Sequence, residues 1–256
     1  MNYGFVEPKI EPENHVLGGV GDTGKVVVNY SKDWTHYLPK GEIQRRNIET
    51  SSCTEYGTLN AIETLENKKL GYNGDYSERF VAIGAENTPQ GNDPHTVAEW
   101  IRKNGLVDEI DLPFTDGFSS WHEYMQPSPL TKNLTKQGKR WVRNNNFKHE
   151  WVAPKGTSTK ERLERIKDAL RYSPIGVSVD AWKEKNGVYY KEQGAPDNHW
   201  TLLVAWKENP IIYDSYVADG KYLKKLDKQY DFGYAKTYTL TEIYTPWWQY
   251  WKELFN

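Results

Sequence analysis

Apolar positions recur at helical spacing through the first half of the chain and give way to strand-like runs in the second. Leu59, Ile62 and Leu65 repeat every three residues behind Ser51 and Ser52, with Gly71 just beyond, which predicts a helix capped by one of the two serines. "NDPHTVAEWIRKNGL" repeats the grammar, with Asp93 as N-cap, Pro94 in the first helical position, Val97, Trp100 and Ile101 on one face and Gly105 as terminator. Ser77 opens a shorter helix through "SERFVAIGAE" between them. Residues 119–156 carry few periodic features and three prolines and read as a crossover. Their basic stretch from Lys132 to Lys148 reads as a solvated face. A third long helix follows, with Ser158 and Glu161 in a capping-box pattern, a stripe of Leu163, Ile166 and Leu170, and Pro174 as its stop.

After Pro174 the pattern is β: "IGVSVDAW", "GVYYKE", "HWTLLVAWKE", "PIIYDSY", "GKYLKKL" and "YAKTYTL", divided by Gly, Pro and Asn/Asp turns. The expectation is an α+β chain. A helical lobe spans about 45–120, a crossover about 120–157 and an antiparallel β lobe about 158–245, with a groove where the lobes meet. Residues 1–30 precede this domain and read as a tail, an added strand or a small plug over the groove.

Composition narrows the partners. The 256 residues, 37% hydrophobic, can bury one large core or two lobes, and 33 basic against 35 acidic side chains leave no excess that nucleic acid would select. No apolar run approaches the roughly 18 residues of a membrane span, and no leader pattern opens the chain, so the expectation is a soluble protein of the cytoplasm or another reducing compartment, monomeric by default. Eleven Trp and 18 Tyr read as core and groove lining rather than a carbohydrate surface, and "TPWWQYWKELFN" at the C-terminus reads as packing on the β lobe. Neither HExxH nor CxxC spacing nor a phosphate loop is present, so neither metal nor other cofactor is expected.

The single cysteine, Cys53, stands where the first long helix begins. Unpaired backbone N–H groups there favour a thiolate, and an imidazole that accepts the proton would complete a nucleophile. Of six histidines, His15, His36, His122 and His149 lie in segments of loop composition and His95 in the first turn of a helix. His199 alone enters an apolar strand behind a turn, and Asp214, fifteen residues on, sits near the end of the next strand. The tight "KENP" turn would set the two side by side, with Asp214 orienting the ring. Singly, a buried Cys, a satisfied His and a turn Asp are the commoner roles for these residues.

The ordered set resembles the papain-like cysteine peptidases from about Asp33 to Leu226: "KDW", "SSCTEYGTLNAIE", "YSERFVAI", "PQGND" with its helix and "NGLVDEIDLPF", then "SPIGVSVDAW", "GVYY", "DNHWTLLVAW" and "IIYDSY". The resemblance implies a two-lobe fold with a β-barrel-like second lobe and hydrolysis of a polypeptide through an acyl-enzyme. It makes Cys53 the nucleophile, His199 the base and acid, and Asp214 the third member where Asn is usual. It implies Asn47 as the oxyanion amide, with Gln44 as alternative, and a substrate-pairing wall at Asn92 and Asp93. Asn198, beside His199, and Tyr216 join that substrate-binding set. Tyr216 stands where a Trp normally shields the third member, Thr50 replaces a half-cystine and Thr54 a Trp, and the Asp at 214 is expected to add a negative charge. A papain-like amidase acting on a cell-wall peptide or isopeptide, and a silent peptide-binding module, are the alternative functions.

Overall fold

The computed structural model describes residues 3–10, 28–71, 73–154, 156–217 and 220–242. The elements are α1 (Cys53–Leu70), α2 (Glu78–Gly84), α3 (Pro94–Asn104), α4 (Trp121–Tyr124), α5 (Lys132–Asn144), β1 (Asn145–Trp151), α6 (Thr159–Ala169), β2 (Ile175–Val179), β3 (Lys183–Lys185), β4 (Val188–Tyr190), β5 (His199–Trp206), β6 (Pro210–Tyr213), β7 (Leu223–Lys225) and β8 (Ala235–Glu242).

Every residue of α1 from Cys53 to Glu66 is buried, where the three-residue repeat predicts a single apolar stripe. The reason is its place in the fold: α1 packs on α2 and α3 on one side and on β5, β2 and β8 on the other. A helix enclosed all round must take its polar residues inside with it, and Glu55, Glu63 and Glu66 are all buried. Gly71 ends α1 in the left-handed conformation at φ 64°, with its N–H on Asn67 O. Ser77 caps α2 by accepting from Phe80 N, Asp93 caps α3 by accepting from His95 and Thr96 N, and Ser158 caps α6 by accepting from Glu161 N, all as the sequence predicts.

Six strands form one antiparallel sheet in the order β1-β8-β2-β5-β6-β7, and β3 pairs with β4 as a separate hairpin. The crossover expected over residues 119–156 is instead built of α4, α5 and β1. Leu134, Gly138 and Trp141 are the buried positions of α5, a helical spacing obscured by the lysines and arginines around them. Phe147, His149 and Trp151 alternate inward along β1, so His149 belongs to a strand and not to a loop. The β lobe therefore begins before residue 158, at β1.

Among the described residues no helix is long and apolar enough to cross a membrane, and no group of three or more His, Cys, Asp and Glu could hold a metal ion. The Trp-rich C-terminus from Thr245 onward, and His15, lie outside the described residues.

Candidate active site

Cys53 is the first residue of α1 and is wholly enclosed. Ser52, the N-cap, makes no side-chain bond into the first turn, because its hydroxyl donates to Thr50 O at 3.2 Å and accepts from Asn87 Nδ2 at 3.2 Å. The predicted serine cap is therefore absent. The first turn's N–H groups keep their partial positive charge at the sulfur. Trp200 N donates to Cys53 Sγ at 3.4 Å, which sets the sulfur against the start of β5. Burial pushes the Cys53 thiol well up, and that bond from Trp200 opposes it. Glu55 in the same turn is pushed up by burial to about 7, so near neutral pH it bears only part of a negative charge beside the sulfur.

His199 and Asp214, both fully buried, meet at 2.6 Å between Nε2 and Oδ1. The β5–β6 register, with Leu202 opposite Tyr213, brings the two strand ends together across the hairpin. His199 Nδ1 is a buried nitrogen without a hydrogen-bond partner. A buried imidazole nitrogen left unpaired costs free energy unless it meets a group that appears during function. Asp214 Oδ2 accepts from Lys224 Nζ at 2.7 Å, and Lys224 also donates to Tyr216 O at 3.1 Å. Burial raises the Asp214 carboxyl, but His199 and Lys224 outweigh it and hold the group below the usual carboxylate range. The side chain expected to add a bare charge thus arrives already paired with a cation.

Trp182 stands edge-on to the His199 ring at 5.8 Å, and Tyr216 does so at 6.1 Å. Trp182 thus packs on the His199 ring together with Tyr216. The Tyr216 hydroxyl is held by Arg45 at 2.8 Å.

Asn47 does not turn toward the thiol. Its Nδ2 donates to Asp116 O at 2.7 Å and to Phe118 O, fixing a loop of the helical lobe. Gln44 is fully buried: its Oε1 accepts from Ser215 Oγ at 3.0 Å, and its Nε2 donates to Tyr3 O at 3.1 Å and to Glu49 Oε1 at 3.3 Å. The Tyr3 ring in turn packs on the His199 ring at 5.7 Å. The resemblance implies Asn47; in the structure the turn at 45–49 is closed by an Arg45–Glu49 bridge, with Gln44 buried before it and Asn47 bonded to the 116–118 loop.

Residues 3–6 lie across both halves of the site. Tyr3 N donates to Asn198 O at 2.9 Å, Asn92 N to Gly4 O at 3.1 Å and Val6 N to Asn92 O at 3.0 Å. Asn92 and Asn198 thus pair with a peptide through their backbones. Asp93 does not, since its N–H donates to Asn92 Oδ1 at 2.9 Å and its carbonyl accepts from Val97 N in α3. Gly91 lies against the same segment: it has φ 95°, and a Cβ there would stand 1.7 Å from Gly4 O. Phe5 reaches into a pocket with Cys53, Trp151 and Trp200, flanked by Tyr234, and its burial closes over the sulfur. The thiol is enclosed for this reason.

Sequence reasoning missed Lys224, Trp182 and the Trp151–Trp200 pocket. Lys224 could have been found: it is the inward position of β7 between Leu223 and Lys225, both exposed, so strand alternation puts a lysine where an apolar residue belongs.

No family model matches the chain, and no curated protein matches it by sequence. Solved structures do. Xylellain, a cysteine protease from Xylella fastidiosa, is similar at 14% identity over 94% of this chain and 96% of its own, with a TM-score of 0.66. Digestive procathepsin L 3 of the Tenebrio molitor larval midgut is similar at 17% identity over 92% of this chain and 75% of its own, with a TM-score of 0.62. The bromelain protease of Ananas comosus, solved with the E64 inhibitor, is similar at 14% identity over 81% and 97%, with a TM-score of 0.57.

Proposed function

We propose that this chain, which has the papain-like two-lobe fold, is a cysteine peptidase that works through Cys53, His199 and Asp214. One observation carries the reading: His199 bonds Asp214 through Nε2, keeps Nδ1 unpartnered, and is followed by Trp200, whose N–H meets Cys53 Sγ.

In the proposed reaction His199 Nδ1 takes the thiol proton as Cys53 Sγ attacks a peptide carbonyl carbon. The oxygen that gains the electron pair is met by Gln44 Nε2 and by the backbone N–H of Cys53 at the open end of α1. His199 then gives its proton to the departing amine nitrogen, leaving a thioester. Water, deprotonated by the same nitrogen, attacks the thioester carbonyl and releases the acid and the thiol. Gln44 is preferred to Asn47 because its Nε2 already donates to a peptide carbonyl, that of Tyr3.

The protein is proposed to be latent as described, with residues 3–6 as the plug: Phe5 covers the sulfur, and the Tyr3 and Gly4 carbonyls and the Tyr3 amide use the hydrogen bonds a substrate would use. A polypeptide substrate must displace it. The test is hydrolysis of a mixed peptide library, read by mass spectrometry. Phe5→Asp, which opens the plug, releases products, and Phe5→Asp with Cys53→Ala, still folded, releases none; equal cleavage by both would end the reading.

A further inference from the structure

The third member of the proposed triad does not act as a lone carboxylate. Asp214 is fully enclosed and has a cation on each side: His199 Nε2 on Oδ1 when the ring is protonated, and Lys224 Nζ on Oδ2 at 2.7 Å. Lys224 is itself buried, held by Asp214 and by Tyr216 O, with its ammonium 5.4 Å from the centre of the Trp182 ring and 6.0 Å from that of Tyr189. A charged lysine with a 7% exposed side chain is retained only where its charge is matched, and the match here is Asp214. The same contact also fixes the carboxylate plane, because Oδ2 cannot leave Lys224 without stranding it.

We infer that Lys224 is a positioning residue that holds Asp214 with Oδ1 toward His199 and cancels its charge, so that the pair presents the imidazole with the acceptor of a neutral amide. The inference rests on the reading of His199 as the base. It accounts for an Asp at a position where the resemblance implies Asn: the acid is tolerated because its ammonium partner comes with it. Lys224 touches neither the thiol nor the groove and works only through Asp214.

The other titratable groups around the trio are Cys53 and Glu55 from α1, Glu49 and Arg45 from the loop before it, Tyr3 from the N-terminal segment, Tyr189 from β4 and Tyr216 after β6. Apart from Cys53, which is Ala in every protein of the titration, none of them is altered in the comparison that tests the inference. In a Cys53→Ala background, which removes the thiol and any turnover, the His199 ring is titrated by NMR. Lys224→Met bares the Asp214 charge, so the midpoint of the ring should move up by about one pH unit or more. Lys224→Arg should keep it in place. Asp214→Asn with Lys224→Met should return it to the unsubstituted midpoint, because charge and countercharge have left together. In the active background the double variant should be more active than Asp214→Asn alone, which strands a buried ammonium. A midpoint unmoved in folded Lys224→Met, or a double variant no better than Asp214→Asn, would overturn the inference. Since the titration needs no substrate, its result stands apart from whether the protein cleaves peptides.

Discussion

The Phe5 and Trp200 rings lie nearly parallel, 6.0 Å between centroids and 8° between planes, and both pack against Cys53. One aromatic belongs to the segment that crosses the site and the other to the strand that carries His199. The Cys53 thiol is therefore closed off by side chains from two separate segments.

Opening that contact should free the thiol. Phe5→Asp loses the apolar burial of one phenyl ring, about 2–3 kcal/mol at most, and adds a charge that cannot stay in the pocket. The carboxymethylation rate of Cys53 at neutral pH should rise at least about tenfold, the effect of roughly 1.4 kcal/mol on a local opening equilibrium. The lost burial should also lower the Tm, by up to about 4–12 °C at roughly 2–4 °C per kcal/mol, so the rate is read well below melting. An unchanged rate would mean that the segment does not guard the sulfur.

The two amides before the helix separate cleanly. Gln44→Ala should lower peptide turnover about 10²- to 10³-fold, the typical cost of one lost oxyanion donor, with thiol reactivity retained. Asn47→Ala removes bonds to Asp116 and Phe118 carbonyls and should cost about 1 kcal/mol of stability with turnover within about twofold. The opposite pattern, measured as kcat on a peptide amide, would return the role to Asn47.

Stability should fall as the solution is made more alkaline from about pH 6.5 to 8. Burial raises Glu55 and Glu66 to about 7 and Glu109 to about 8, and lifts Glu63 and Glu78 well above the usual range. Glu78 also shares a hydrogen bond with Glu42, which requires a proton on one of them. A carboxyl whose folded value lies above its unfolded one stabilises fully below the unfolded value and loses that contribution as pH rises through the folded one. Lys236, buried over the Trp151 ring and pushed down to about 7, works in the other direction above pH 7, and His149, pushed down to about 4, does so only below about 6.5. The carboxyls outnumber them in this window. Each net proton is worth about 1.36 kcal/mol per pH unit, or roughly 3–5 °C in Tm for a chain of this size. Calorimetry that finds the Tm level or rising across the window would contradict these placements.

The frame of the fold was legible because its signals are local: Ser77, Asp93, Ser158, Gly71 and Gly105 cap or end helices by chemistry within a few residues. His199 and Asp214 were legible for a related reason, a short hairpin that fixes their separation. What escaped the sequence depends on distant neighbours. α5 is too basic to show its stripe, the burial of α1 on every side comes from two layers that meet on it, and Gln44 is held by Ser215 and Tyr3, both distant in sequence. The match between Lys224 and Asp214 needs the β6–β7 pairing, since neither residue alone announces a buried ion pair.

The central claim is that Cys53 is a nucleophile activated by His199, and the most direct measurement is the site and yield of covalent labelling by an epoxide inhibitor of the E64 type. Native protein, Phe5→Asp, and Phe5→Asp with His199→Ala are incubated with it and mapped by mass spectrometry. One adduct is expected on Cys53, slow in native protein, fast in Phe5→Asp, and lost or reduced at least about a hundredfold, the low end of general-base contributions, when His199 is removed. No adduct on Cys53 in either of the first two proteins, or an equal rate without His199, would contradict it.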